Sequence, residues 1–115
     1  MRPVKLFIIL ACIVAPLTAT AQRALWDTRD AELAHSNETL NATYQALIRQ
    51  LSPEDQAALR KAQRAWIAFR DADCEVGWAD TRDCLITRTD EREQQLRDSF
   101  YWGPGGKPVE FPGRK

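Results

Sequence analysis

The chain has 115 residues, with 16 Lys+Arg balanced by 16 Asp+Glu and a single histidine, a length that suits one domain. No basic run, RNP-like aromatic pattern or zinc spacing is present, so nucleic acid is excluded as an expected partner. One histidine supports no credible Ser/His or Cys/His pair and no metal-ligand set, so no enzyme activity, cofactor or metal is expected.

Residues 1–21 read as a secretory signal peptide: Arg2 and Lys5 are positive, residues 6–14 are unbroken apolar, and Ala19-Thr20-Ala21 forms a cleavage site before Gln22. The apolar run is too short for a membrane span. The expected location is therefore periplasmic or secreted. The rival reading takes Ile9-Leu10-Ala11-Cys12 as loosely lipobox-like, with a lipid anchor through Cys12. Cleavage before Gln22 leaves 94 residues and removes two of the 16 basic ones, giving 14 against 16 acidic and a net charge of −2. Only Cys74 and Cys84 then remain, and an even count in an exported domain reads as a disulfide.

The helical domain is expected over residues 22–102, after a short lead-in holding Trp26. In a first helix, over about residues 29–51, Leu33, Asn37, Leu40, Tyr44, Leu47 and Leu51 recur at steps of four and three. Ser52-Pro53-Glu54-Asp55 restarts the helix, with Ser52 as N-cap and Pro53 in the first position. So short a connection predicts an antiparallel hairpin. The second helix runs to about residue 76, where Gly77 ends it. Its Trp66-centred face carries Leu59, Ala62 and Phe69, interleaved with Gln63, Arg70 and Asp73. Arg60, Lys61, Arg64, Asp71 and Glu75 fall on the opposite, solvated side. Thr81 is placed to cap a third helix over about residues 82–101, with Leu85, Thr89, Arg92, Leu96 and Phe100 as its inner stripe. Gly103-Pro104 stops it. The tail over residues 103–115 is rich in Pro and Gly, has almost nothing to bury and is expected to be flexible. The fold class is all-α: a three-helix bundle with one disulfide. Closing a loop of about 10 residues between Cys74 and Cys84 stabilises by roughly 2.7 kcal/mol on the chain-entropy model.

Leu40-Asn41-x-x-Tyr44, then Leu59-x-x-x-Gln63-x-x-Trp66-x-x-x-Arg70-Asp71-x-x-Cys74, then Cys84-Leu85-x-x-x-Thr89-x-x-Arg92-x-x-x-Leu96 resembles the lysozyme inhibitor LprI N-terminal domain family. The resemblance covers about residues 29–96. It implies an exported, disulfide-bonded, mostly helical bacterial domain, with a lysozyme as the implied partner. Family members usually carry a further cysteine pair in the N-terminal part, which this chain lacks. Structural or assembly work in the cell envelope, without lysozyme binding, is the alternative function.

Two constellations are candidates for the site. Asn37, Gln63, Arg70, Asp73 and Arg92 form an inward polar set in which Arg70 and Asp73, three residues apart, can pair. Such a set reads as a network that fixes helix register, as snorkelling side chains, or as a ligand site. Glu75, Asp80 and Asp83, with Asp71 and Asp73, surround Trp78, and Arg82 is the one nearby base. Lysozymes are often basic with a carboxylate-lined cleft, so an acidic loop with Trp78 as anchor would dock there. The plainer reading is solvated helix ends. Paired-carboxylate catalysis is not expected, because Asp71 and Glu75 project away from Asp73.

Overall fold

A computed structural model describes residues 27–112. The expected signal segment with Cys12, and Trp26 in the expected lead-in, lie outside the described residues. Three helices follow in order: α1 (Arg29–Ile48), α2 (Pro53–Asp73) and α3 (Thr81–Asp98). A minimal antiparallel ribbon comes next, β1 (Trp102–Gly103) with β2 (Lys107–Pro108), joined by a 3-10 turn over Pro104–Gly106. Among the described residues no helix is long and apolar enough to cross a membrane.

The helix boundaries have local causes. At the start of α2 the Ser52 side chain accepts from the Asp55 N–H, Pro53 occupies the first turn, and Glu54 and Asp55 sit at the positive end. At α3 the cap is Asp80 rather than the expected Thr81. Asp80 accepts from the Arg82 N–H, and Thr81 is the first helical residue. Gly77 lies beyond the end of α2 with φ +73°, in the left-handed region that favours glycine.

The helices do not pack equally. α1 and α3 form the main pair, and α2 touches α3 at only a few points. The expected antiparallel α1–α2 hairpin is present, with Arg70 of α2 bonded to Asn37 of α1, but α2 packs on α1 more loosely than α3 does. The reason lies in which stripe of α1 is inward. Ser36, Leu40, Thr43 and Leu47 are buried, at helical steps of four and three. That stripe takes α3 through Thr89 and Leu96, both fully buried. Asn37, in the expected seam, is exposed. The sole buried residue of α2 is Leu59.

The tail also differs from expectation. Val109 and Phe111 are 6% and 5% exposed and belong to the same core as Leu40, Leu47, Ile48, Leu51, Leu59 and Leu96. Residues 103–112 therefore have something to bury, and they close the end of the core that α2 leaves open. Polar contacts hold them in place. The Gln50 side-chain amide donates to the Glu110 carbonyl at 2.8 Å and accepts from the Glu110 N–H at 3.0 Å. Val109 N–H donates to the Tyr101 carbonyl at 3.0 Å. Arg97 donates to the Pro112 carbonyl at 3.1 Å and lies 5.9 Å from the Phe111 ring centre. Gly103 sits so close to the turn after α1 that a Cβ there would lie 2.5 Å from the Gln50 carbonyl oxygen. Phe100, expected in the inner stripe of α3, is 86% exposed. The helix ends at Asp98, so the four-residue step no longer directs Phe100 inward.

Candidate functional site

The end of the molecule where α2 meets α3 is closed by the Cys74–Cys84 disulfide, with a Cα–Cα distance of 5.5 Å. Both cysteines are buried. The loop between them carries Val76, 73% exposed, and Trp78, 41% exposed. Gly77 turns the backbone between them. Two apolar side chains are thus held toward solvent on a segment pinned at both ends.

The acids of this loop are less available than the residue pattern implies. Asp80 pairs with Arg82 at 2.8 Å and with Arg29 at 3.5 Å. Asp83 pairs with Arg29 at 2.8 Å. Arg82 also reaches Asp27 at 2.9 Å and Asp30 at 3.0 Å. Arg29, Arg82 and four aspartates therefore form one network that ties the start of α1 to the start of α3. Sequence reasoning missed it because Asp27 and Arg29 lie more than 50 residues from their partners. The hydrogen bonds from Arg82, from its side chain and then from its N–H, hold the Asp80 carboxyl down at about 2. A hydrogen bond from the Arg29 N–H, and then one from the Arg82 side chain, lowers Asp27. Asp83 in turn raises Arg29 by its hydrogen bond. Glu75 is exposed and lies outside this network.

The linkage gives a pH expectation with a definite sign. Asp80 is lowered from 3.8 to about 2, so its contribution is present above about pH 4 and is lost as pH falls toward 2. Asp27 acts in the same direction. Melting temperature should fall across that window. Asp80→Asn, which keeps a capping side chain, should make the fall shallower. An identical acid limb in Asp80→Asn and the parent would show that this carboxylate contributes nothing.

The inward polar set divides into separate groups. Arg70 donates to the Asn37 side-chain carbonyl at 3.4 Å and to the Thr89 hydroxyl at 3.3 Å, joining all three helices. Its ion-pair partner is Asp71, at 2.8 Å, and not Asp73 as expected. Asp73 is taken by Arg88 on α3, at 2.8 Å. That pairing raises the Arg88 pKa, chiefly through the Asp73 hydrogen bond. Arg92 donates to the Gln63 side-chain carbonyl at 3.1 Å, and burial lowers its pKa. The guanidinium carbons of Arg70 and Arg92 lie 5.3 and 5.8 Å from the Trp66 ring centre. Two cations thus share one indole, which favours placing them at a half-buried position. A third group, unforeseen in the sequence, joins Thr43 of α1 to Glu93 at 2.5 Å and to Arg97 at 3.2 Å. Among the described residues every buried side-chain N or O atom has a hydrogen-bond partner, so the polar groups admitted to this interior are satisfied.

A cleft of about 400 Å³ lies between α1 and α2, with Asn37, Asn41, Gln63 and Arg70 among its lining residues. Arg60 and Arg64, expected on the solvated side of α2, line it as well.

Comparison with known proteins places this arrangement. The family model described as "Lysozyme inhibitor LprI" matches residues 12–96. An uncharacterized protein of Rhizobium meliloti (strain 1021) is 34% identical over 85 residues, covering 60% of this chain. The match spans 61% of that relative's length. No solved structure matches.

Proposed function

We infer that this chain, which belongs to the lysozyme inhibitor LprI family, is an exported, non-enzymatic protein that binds lysozyme and blocks its cleft. The observation that supports the reading best is the disulfide-closed loop, which presents Val76 and Trp78 at 73% and 41% exposure from a segment anchored by two buried cysteines. A loop ordered before binding loses little conformational freedom on association. A tryptophan at the centre of such a loop is the residue type that dominates interface energetics. Because Asp80 and Asp83 are already paired with arginines, Trp78 is the anchor and Glu75 supplies the accessible negative charge. Asp80 and Asp83 hold the loop's base in position.

The test is a turbidity assay of peptidoglycan lysis with oxidised residues 22–115 and several lysozyme types. Inhibition is expected at micromolar protein. Trp78→Ala should weaken it by about 30-fold, the equivalent of a hot-spot loss of about 2 kcal/mol. Its melting temperature should be unchanged. Absence of inhibition against every type would contradict the reading and favour a structural role in the cell envelope. Full inhibition by folded Trp78→Ala would remove the loop as the contact surface.

A further inference from the structure

The cleft between α1 and α2 lies apart from the disulfide loop, and the proposed lysozyme contact does not use it. Its floor is apolar and aromatic, built from Leu40 and Tyr44 of α1 and Trp66 and Ile67 of α2. Ile67 is 40% exposed there. One end of the rim carries Arg60 and Arg64, one helical turn apart, and no carboxylate is among the described lining residues. Among the described residues Arg60 has no ion-pair partner and donates to the neutral side chain of Gln56, at 3.2 Å. Arg70 marks the other end, where Asp71, Asn37 and Thr89 already engage it. From Arg60 to Arg70 the helix rises roughly 15 Å at 1.5 Å per residue.

We propose that this cleft binds a single-chain anionic amphiphile of the free fatty acid class. The carboxylate sits at Arg60 and Arg64, and the aliphatic chain runs over Ile67, Trp66, Leu40 and Tyr44. Three observations select this occupant. Uncompensated positive charge gathers at one end of an apolar trough, which calls for an anion on an apolar body. The volume of about 400 Å³ falls within the small-molecule range; it suits one aliphatic chain and is too small for the two chains of a phospholipid. The trough is open because α2 buries only Leu59, so water now covers apolar surface that a chain would cover at a gain. Arg70 closes the trough and holds α2 to α1 and α3; it does not meet the anion.

The experiment titrates delipidated, oxidised residues 22–115 with dansyl-undecanoic acid and follows the dansyl emission. Saturable binding is expected, displaced by palmitate and not by hexadecanol, which has the chain without the charge. Arg60→Ser/Arg64→Ser should raise Kd by at least about tenfold, the loss of charge-assisted contacts to the carboxylate. Ile67→Asp should abolish binding, with the far-UV circular dichroism and melting of the parent. Any of four results would overturn the proposal: no saturation, equal displacement by hexadecanol, an unchanged Kd in the double arginine variant, or displacement by an acidic helical peptide where palmitate has no effect. The last would make the cleft a peptide groove. Lysozyme inhibition can fail or succeed without altering any of these readings.

Discussion

Phe111→Ala should destabilise the protein by about 3–5 kcal/mol, the usual cost of emptying a buried phenylalanine site. For a domain of this size that corresponds to a fall in melting temperature of more than about 12 °C. Phe111 is 5% exposed and shares a core with Leu47 and Leu96, each fully buried. Removing its ring would leave a cavity beneath Arg97, which packs over it. Phe100→Ala is the matched control, because Phe100 is 86% exposed. It should change stability by less than about 1 kcal/mol, as exposed substitutions generally do. Thermal melts of the two variants side by side decide the matter. A mild Phe111→Ala together with a severe Phe100→Ala would invert the assignment and return the tail to the surface.

The second large effect belongs to the disulfide. Cys74→Ala/Cys84→Ala should cost roughly 2.7 kcal/mol through the freed loop of about 10 residues. The melting temperature should drop by about 11–22 °C, and reduction of the parent protein should reproduce most of that drop. The consequence is large because little else holds α2: one buried leucine, the half-buried Trp66 against the core, the Arg70 contacts, the Arg92–Gln63 bond and the Arg88–Asp73 pair. Most helical stability comes from packing of an apolar face, and α2 has little such packing. The covalent link takes its place at the end farthest from Leu59. A double variant that melts with the parent would show that α2 is held by other contacts.

Much of this fold is legible in the residues. Ser52-Pro53 starts α2 as its capping chemistry requires, Gly77 follows its end, and Cys74 and Cys84 form the expected disulfide. What escaped the sequence has a consistent cause: these features depend on partners far along the chain. Periodicity points to an apolar stripe on α1, but Ser36 and Thr43 are two of its five buried residues, and small polar residues carry no hydropathy signal. The spacing of three residues lets Asp73 pair with Arg70 on the same helix. Arg88, 15 residues on, reaches it instead. Val109 and Phe111 are isolated apolar residues among prolines and glycines, where neither a period of 3.6 nor one of 2 can announce burial. Arg60 and Arg64 are exposed, as the Trp66-centred wheel predicts, and both line the cleft between α1 and α2.

The family suggests lysozyme recognition, and the proposed contact surface is the loop from Cys74 to Cys84. Amide hydrogen exchange of the oxidised protein, alone and with a lysozyme that it inhibits, tests that assignment most directly. Slowed exchange should appear at residues 75–80, with the α1–α2 cleft unchanged. Slowing confined to the cleft or to the tail, with the loop exchanging as in the free protein, would contradict it.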